Sequence, residues 1–272
     1  MLDTAPIALQ RARGRAAVSL GLSGGRTRLE TLHQSGSAKA FLPKVHSERP
    51  EVVFLNTAGG LTGGDVLSIS GALGPGAQAT LTTQTAERAY ASSGGAARVA
   101  VDLSVAPGAD LHWLPQETIL FDSAALDRRT SVRLEGDARL LMVETVVLGR
   151  AAMGERVARL DLTDRRSVTR DGMPVLIEPL RLTADVLARP SAATLGGARA
   201  ISTVVLVGRG AEDALGPVRA LLGEPGTEAA ASAWDGRLVL RAMAGDGWPL
   251  RRLVARVLSH LRGGPLPRVW QV

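Results

Sequence analysis

The densest gathering of chemically capable side chains lies in two short stretches. One is Thr82, Thr83, Gln84 and Thr85 with Glu87, Arg88 and Tyr90; the other is Gln116, Glu117 and Thr118 with Asp122. Two carboxylates that meet across a cleft can divide acid and base roles, as in a glycosidase or a lyase. Glu117 with Asp122 or Asp65 is the candidate pair. The same carboxylates can instead pair with Arg88, Arg128 or Arg129 at the surface, and the residues alone leave both arrangements open. His112 precedes the second stretch and converges with Glu117 and Asp122 if adjacent strands carry all three. Otherwise it is a strand histidine satisfied by hydrogen bonds.

Other chemistries are missing. The run Gly59-Gly60-Leu61-Thr62-Gly63-Gly64-Asp65 looks like a phosphate loop, but it lacks the Lys-Ser/Thr pair of a P-loop and the Gly-x-Gly-x-x-Gly spacing. A strand, with no helix N-terminus to receive an anion, is expected after it. The run reads as a strained glycine turn that positions Asp65. Among His33, His46, His112 and His260, no two lie two to four residues apart, so there is no local metal-ligand motif. No Ser-His-Asp order and no Gly-x-Ser-x-Gly elbow supports nucleophilic catalysis. With no cysteine at all, disulfides, thiolate ligands, iron–sulfur clusters and cysteine nucleophiles are excluded together.

The elements that must carry these residues read as mostly β. Three turns, at Gly74-Pro75-Gly76-Ala77, Ala106-Pro107-Gly108-Ala109 and Glu135-Gly136-Asp137-Ala138, each lead into an apolar, β-branched run. Strands are expected at 79–85, 111–114 and 140–148 after the turns, and at 98–105, where Val99, Val101, Leu103 and Val105 alternate onto one face. Further strands are expected at 51–55, 66–72, 130–134, 157–162, 175–182, 200–207 and 237–241. A turn spacing near 30 residues suggests stacked β units, each burying its apolar face on the next, with a plain sandwich as the competing arrangement. Near the C-terminus, Leu250, Leu253, Val254, Val257, Leu258 and Leu261 follow helical spacing, with Asp246 as cap, Pro249 in the first turn and Gly263-Gly264 as the stop. Arg251, Arg252, Arg256 and Arg262 then form a solvated face or a docking face. A shorter helix is expected between Glu212 and Leu222, interrupted at Pro217, and a polar loop at 190–197. The expected fold class is therefore all-β, irregular and β-helix-like with layered sheets and about two helices near the C-terminus, in a single domain over residues 1–272.

Composition narrows the functional classes. The 272 residues carry 32 basic and 26 acidic side chains for a net charge of +6, interspersed without a block of like sign. A nucleic-acid binder needs a concentrated basic stripe, and none is visible. Only eight side chains are aromatic, few for stacking sugars or bases. The longest charge-free stretch, 66–86 apart from its flanks, is broken by Gly, Pro, Thr and Gln and does not suit a membrane span. Asp3 with Arg11, Arg13 and Arg15 leaves no apolar region for an export signal.

Four ordered motifs carry a family resemblance. They are Phe54-Leu55-Asn56-Thr57-Ala58-Gly59-Gly60-Leu61-Thr62-Gly63-Gly64-Asp65, Leu81-Thr82-Thr83-Gln84-Thr85-Ala86-Glu87-Arg88-Ala89-Tyr90, Trp113-Leu114-Pro115-Gln116-Glu117-Thr118-Ile119-Leu120-Phe121, and Glu144-Thr145-Val146-Val147-Leu148-Gly149-Arg150 followed by Gly154-Glu155. Together with Gly36-Ser37-Ala38-Lys39-Ala40 and the closing Leu266-Pro267-Arg268-Val269-Trp270, they resemble the urease accessory protein family UreD, also called UreH, over nearly the whole chain.

The resemblance implies a cytoplasmic, non-enzymatic maturation factor in a hetero-oligomer. Its expected partners are apo-urease, UreF and, through UreF, the GTPase UreG, with neither nucleic acid nor membrane involved. It also implies that no cofactor is tightly bound and that Ni²⁺ passes transiently through an internal polar passage. The passage candidates from the motifs are Asp65, Thr83, Gln84, Tyr90, Gln116, Glu117, Asp122, Glu144 and Glu155. Such a conduit needs oxygen and imidazole groups weak enough to release the ion. Nothing in the motifs assigns nickel to His33, His46 or His112.

Overall fold

A computed structural model describes residues 10–44, 49–189, 191 and 193–271. In chain order the strands are β1 (Arg13–Ser23), β2 (Arg26–Gly36), β3 (Ala38–Phe41), β4 (Glu51–Asn56), β5 (Val66–Leu73), β6 (Gln78–Thr83), β7 (Glu87–Ala89), β8 (Ala97–Val105), β9 (Asp110–Leu114), β10 (Thr118–Leu120), β11 (Ala124–Leu134), β12 (Arg139–Leu148), β13 (Leu160–Arg170), β14 (Met173–Thr183), β15 (Ala200–Val207), β16 (Thr227–Trp234) and β17 (Arg237–Ala244). The helices are α1 (Ala184–Ala188), α2 (Leu215–Ala220) and α3 (Gly247–Arg262).

The strands form two sheets. One runs β14-β13-β11-β8-β5-β1-β2, and the other runs β16-β17-β15-β12-β9-β6-β4-β3, with β10 joining β12 to β7 beside that path. The three glycine turns foreseen in the sequence each carry the chain from the first sheet to the second, from β5 to β6, β8 to β9 and β11 to β12. Gly76, Gly108 and Gly136 all have positive φ, which a side chain would strain. The turns also stack: Gly76 N donates to Pro107 O at 3.0 Å, and Gly108 N donates to Asp137 Oδ1 at 2.7 Å. Parallel pairing of β5, β8, β11 and β13, and of β4, β6, β9 and β12, completes the coils of a β-solenoid.

Period-two alternation fills the space between the sheets. Val101, Leu103 and Val105 of β8 pack inward with Leu111 and Trp113 of β9 and Leu140 and Met142 of β12. A second core lies on the outer side of the ten-stranded sheet. There α3 buries Leu250, Leu253, Val254, Val257 and Leu258 against residues of β15 and β17 such as Val204, Leu238 and Leu240. Each such side chain contributes about 1.5–3 kcal/mol when fully buried. The cap and stop are those read from the sequence: Asp246 Oδ1 accepts from Trp248 N at 2.8 Å, and Gly263 closes the helix at φ 68°.

Several boundaries differ from expectation. β1, β2, β3 and β16 gave no strand signal, because β2 is exposed along nearly all of its length and therefore shows no alternation, and β16 is rich in alanine. The strand expected at 157–162 begins at Leu160 and continues to Arg170. The backbone amides of Ala158 and Arg159 are instead taken up by Asp122 Oδ1, each at 2.8 Å. The helix expected between Glu212 and Leu222 divides into a 3-10 turn, Glu212–Ala214, and α2, whose first turn accommodates Pro217.

Candidate functional site

The inner faces of β11, β12 and β13 are apolar stripes interrupted at matching heights. Along β11 the inward series is Ala124, Leu126, Arg128, Thr130, Val132 and Leu134, and along β13 it is Leu160, Leu162, Asp164, Arg166 and Val168. Parallel register sets Arg128 beside Asp164. Arg128 then binds Asp164 through two bonds, Nε to Oδ1 at 3.0 Å and Nη2 to Oδ2 at 2.6 Å. Its remaining Nη1 reaches Thr118 Oγ1 at 2.9 Å and Glu144 Oε2 at 2.9 Å. Glu144 Oε1 accepts from Trp113 Nε1 and Thr130 Oγ1, both at 3.1 Å.

The alternation of charge continues past Asp164. Arg166 Nη2 donates to Asp164 Oδ2 at 2.6 Å, its Nη1 donates to Thr203 Oγ1 at 3.0 Å, and Glu178 Oε2 lies 3.5 Å away. Glu178 Oε1 accepts from Arg241 Nε at 2.8 Å. The result is a ladder from Glu144 to Arg241 with Asp164 fully buried at its centre. Burial opposes ionisation of Asp164, but the Arg128 and Arg166 guanidiniums overcome it and hold the carboxyl below its ordinary value. Burial likewise disfavours the Arg128 cation, and Asp164 with Glu144 reverses that effect.

Spaces flank the ladder. An inner cavity of about 50 Å³ is lined by Thr83, Glu87, Gln116, Thr118, Arg128 and Glu144 together with apolar residues of both sheets. A second, of about 70 Å³, lies toward β3 and β4 and shares Leu67, Ile69, Thr83 and Glu87 with the first. Each exceeds the roughly 10–15 Å³ that one water needs. On the far side of the ladder, Arg166, Glu178, Thr203 and Arg241 form part of a cleft of about 550 Å³ bounded by β14, β15, β16 and β17. Thr83 Oγ1 accepts from Gln116 N at 2.8 Å, and the buried Gln116 Nε2 has no partner among the described residues.

Two groups, the half-buried Glu87 and the buried His112, titrate in opposite senses. Burial pushes the Glu87 carboxyl from 4.5 up to about 7, against weaker help from the Arg88 amide and Asn56. Burial, reinforced by the Arg49 guanidinium, pushes His112 from 6.5 down to about 3. Glu87 thus contributes stability that is complete below 4.5 and is lost as pH rises through about 7, whereas the contribution of His112 is complete above 6.5 and is lost as pH falls. Glu87→Gln removes the first slope alone. Relative to the unsubstituted chain, the variant should gain on the order of 1 kcal/mol per pH unit between about pH 5 and about pH 6.5. Urea denaturation at both pH values checks this; parallel profiles would exclude the perturbed carboxyl.

The sequence has relatives over nearly its whole length. The pattern of the family described as UreD urease accessory protein matches residues 12–271. A urease accessory protein UreD from a strain of Cereibacter sphaeroides is 61% identical over 264 residues, covering 97% of this chain and 96% of the relative. The UreD of Paracoccus denitrificans is 52% identical, covering 98% of this chain and 95% of its own length, and that of a Rhizobium leguminosarum strain is 45% identical with full coverage of both. The chain belongs to the UreD family of urease accessory proteins. Its role therefore lies in urease maturation.

In this UreD-family chain the nine motif candidates separate by location. Thr83, Gln116 and Glu144 line the inner cavities. Asp65 is buried in the glycine turn, where Oδ1 accepts from Ala12 N and Oδ2 from Thr62 N, both at 2.8 Å. Gln84 is exposed, and Tyr90 is 39% exposed. Glu117 Oε1 is held by Arg251 Nη1 of α3 at 2.6 Å. Asp122 and Glu155 sit together near the surface, Glu155 bridging Asp122 N and Arg150. The convergence of His112, Glu117 and Asp122 does not occur: His112 lies 3.6 Å from Asp110, on the opposite face of β9 from Trp113. Glu117, Asp122 and Asp65 likewise occupy three separate clusters, so neither carboxylate pair of the hydrolase alternative is assembled. Arg128 is buried, not a surface partner for them.

The arginine face of α3 is also less solvated than expected. Arg251 reaches Gln116 and Glu117, Arg252 and Arg256 grip Glu224, and Arg262 reaches Thr80. His33 lies on exposed β2, and His46 lies outside the described residues. Among the described residues no group of three or more His, Asp or Glu is placed to hold a metal ion, and no helix is long and apolar enough to cross a membrane. The sequence reading missed Arg128, Asp164, Arg166 and Glu178. Their signal was charge at positions in phase with an apolar alternation, a pattern that marks them as facing inward.

Proposed function

We propose that this chain is a non-catalytic cytoplasmic scaffold that binds apo-urease and, with UreF and the GTPase UreG, passes Ni²⁺ to the assembling urease site through the space between its two sheets. The observation that carries this reading is the pair of neighbouring inner cavities whose linings share Thr83 and Glu87. Within mostly apolar walls, Thr83, Glu87, Gln116 and Glu144 offer hydroxyl, amide and carboxylate oxygens one or two at a time. Isolated hard oxygen ligands bind a divalent ion weakly enough to let it move on, whereas a closed set of several ligands would trap it. In this reading nickel is cargo, and GTP hydrolysis belongs to the partner.

The three isolated carboxylates give the carbohydrate-enzyme alternative no assembled site, and no second reading is favoured. The test is deletion of the gene from a host carrying the cognate urease operon, followed by restoration. Urease activity and nickel content should both fall and both return. Activity unchanged at limiting nickel would reject the maturation reading for this chain.

A further inference from the structure

The net charge of the chain sits at one end of the fold. Residues 11–44 hold seven basic side chains, including both lysines, and a single acid, Glu30, so their excess equals the +6 of the whole chain and the other residues cancel. Five of the seven lie on strands: Arg13 and Arg15 on β1, Arg26 and Arg28 on β2, and Lys39 on β3. None of the seven forms an ion pair among the described residues, whereas arginines elsewhere, such as Arg128, Arg166 and Arg251, are matched by acids.

The same end leaves a sheet edge open. β2 ends the seven-stranded sheet and, among the described residues, pairs only with β1, across a hairpin at Gly24-Gly25. Ser37 N donates to Arg13 O at 3.0 Å, which sets the phase of the ladder. Residues of an antiparallel pair alternate between bonding the neighbour and facing away, so the amides and carbonyls of Leu32 and Gln34 turn to the free edge. The opposite edge of the sheet, β14, is blunted by Pro174 and Pro179, and β2 contains no proline. Leu29 and Leu32 are each 41% exposed beside this edge. An open edge takes an added strand through main-chain bonds, and side chains decide which strand. Arg26 and Arg28 guard it against a second copy, which brings the same cations, and favour an acidic chain.

The inner cavity of about 70 Å³ reaches this end, with Ala16 of β1, Lys39 of β3 and the exposed Arg88 in its lining. Cations there repel a divalent ion that would leave to open solvent. A docked acidic chain cancels them, so an ion crosses readily only into a seated partner. That partner is the one that receives the ion. We propose that an acidic, extended segment of apo-urease adds to the free edge of β2 as the next strand of the sheet, bonded at Leu32 and Gln34 and matched in charge to Arg26 and Arg28. The proposal rests on the scaffold reading above and assigns that reading a surface.

The full-length chain is titrated with purified apo-urease, and backbone amide exchange is followed in the free and bound states. Exchange over residues 31–35 should slow at least about tenfold in the complex, and binding should weaken as salt rises. The double variant Arg26→Glu, Arg28→Glu changes two exposed side chains and should lose about 30-fold in affinity, the size of a hot-spot truncation. Leu32→Pro removes one edge amide at constant charge and should weaken binding while leaving its salt dependence as it was. Arg181→Glu, in an exposed ion pair on β14, should bind like the unsubstituted chain, and thermal unfolding of both charge variants should match it. Unchanged exchange over residues 31–35 in the complex would overturn the proposal, as would binding of the double variant within about twofold of the unsubstituted chain or no binding at all. Protection of β2 by purified UreF in place of apo-urease would overturn the choice of occupant. If the gene is required for active urease and the double variant still restores it fully, the β2 edge is rejected and the scaffold reading stands.

Discussion

Asp164→Asn should cost the folded chain about 3–5 kcal/mol, the usual penalty for removing one partner of a buried ion pair. The carboxylate is fully buried and accepts from both Arg128 and Arg166 at 2.6 Å, and bidentate pairing with Arg128 fixes its plane. Replacement by a neutral amide of the same shape preserves the volume. It leaves two guanidiniums, each nearly buried, facing one another with no charge between them. Glu144 and Glu178 compensate only from the outer sides of the ladder. Chemical denaturation should therefore show a lower midpoint at unchanged slope. The quadruple variant Arg128→Met, Glu144→Gln, Asp164→Leu, Arg166→Met should lose less than the single variant, because it removes the buried charges together while the amide introduced at position 144 keeps an oxygen for Trp113 and Thr130. A single-variant loss below about 1 kcal/mol would mean that the ladder is hydrated from the adjacent cavity or cleft.

The ladder also shows where sequence reasoning succeeds and where it stops. Val99, Val101, Leu103 and Val105 advertise a strand because one face is apolar and the other is not, and the glycines at 76, 108 and 136 advertise turns because positive φ selects them. Those local signals sufficed for stacked coils, and the α3 cap and stop were visible for the same reason. β2 was invisible because nearly all of it faces solvent. Arg165-Arg166 with Asp161 and Asp164 looked like ordinary mixed surface charge, because consecutive residues in a strand alternate between two environments. Asp164 and Arg166 fall in phase with Leu160, Leu162 and Val168 and out of phase with the exposed Arg165, but only the register of β13 against β11 sets Asp164 beside Arg128. The glycine turn at Asp65 was legible for the opposite reason: its two amide bonds, to Thr62 and Ala12, need only short-range geometry and one neighbouring strand. Glu117 was a reasonable site candidate by residue type, yet its partner Arg251 lies 134 positions away on α3, beyond any local pattern.

Glu87→Leu should separate stability from delivery. In the unsubstituted chain Glu87 lines both inner cavities, and its raised pKa records the cost of keeping a charge there. Leucine has similar volume and no charge to desolvate, so the variant should be at least as stable at neutral pH. Asn56 keeps a partner in the Gly60 carbonyl, at 3.3 Å from its Nδ2. A hydrated divalent ion passing the same point meets a methyl-lined constriction with no oxygen to replace lost water. A barrier higher by about 1.4 kcal/mol slows transit about tenfold. Cells carrying the variant should therefore contain the usual amount of folded chain, while their urease holds several times less nickel at limiting supply. Glu87→Gln retains an oxygen ligand and should fall between the two. A purely structural Glu87 would move stability and nickel content in the same direction, and full nickel loading of urease with the leucine variant would remove Glu87 from the path.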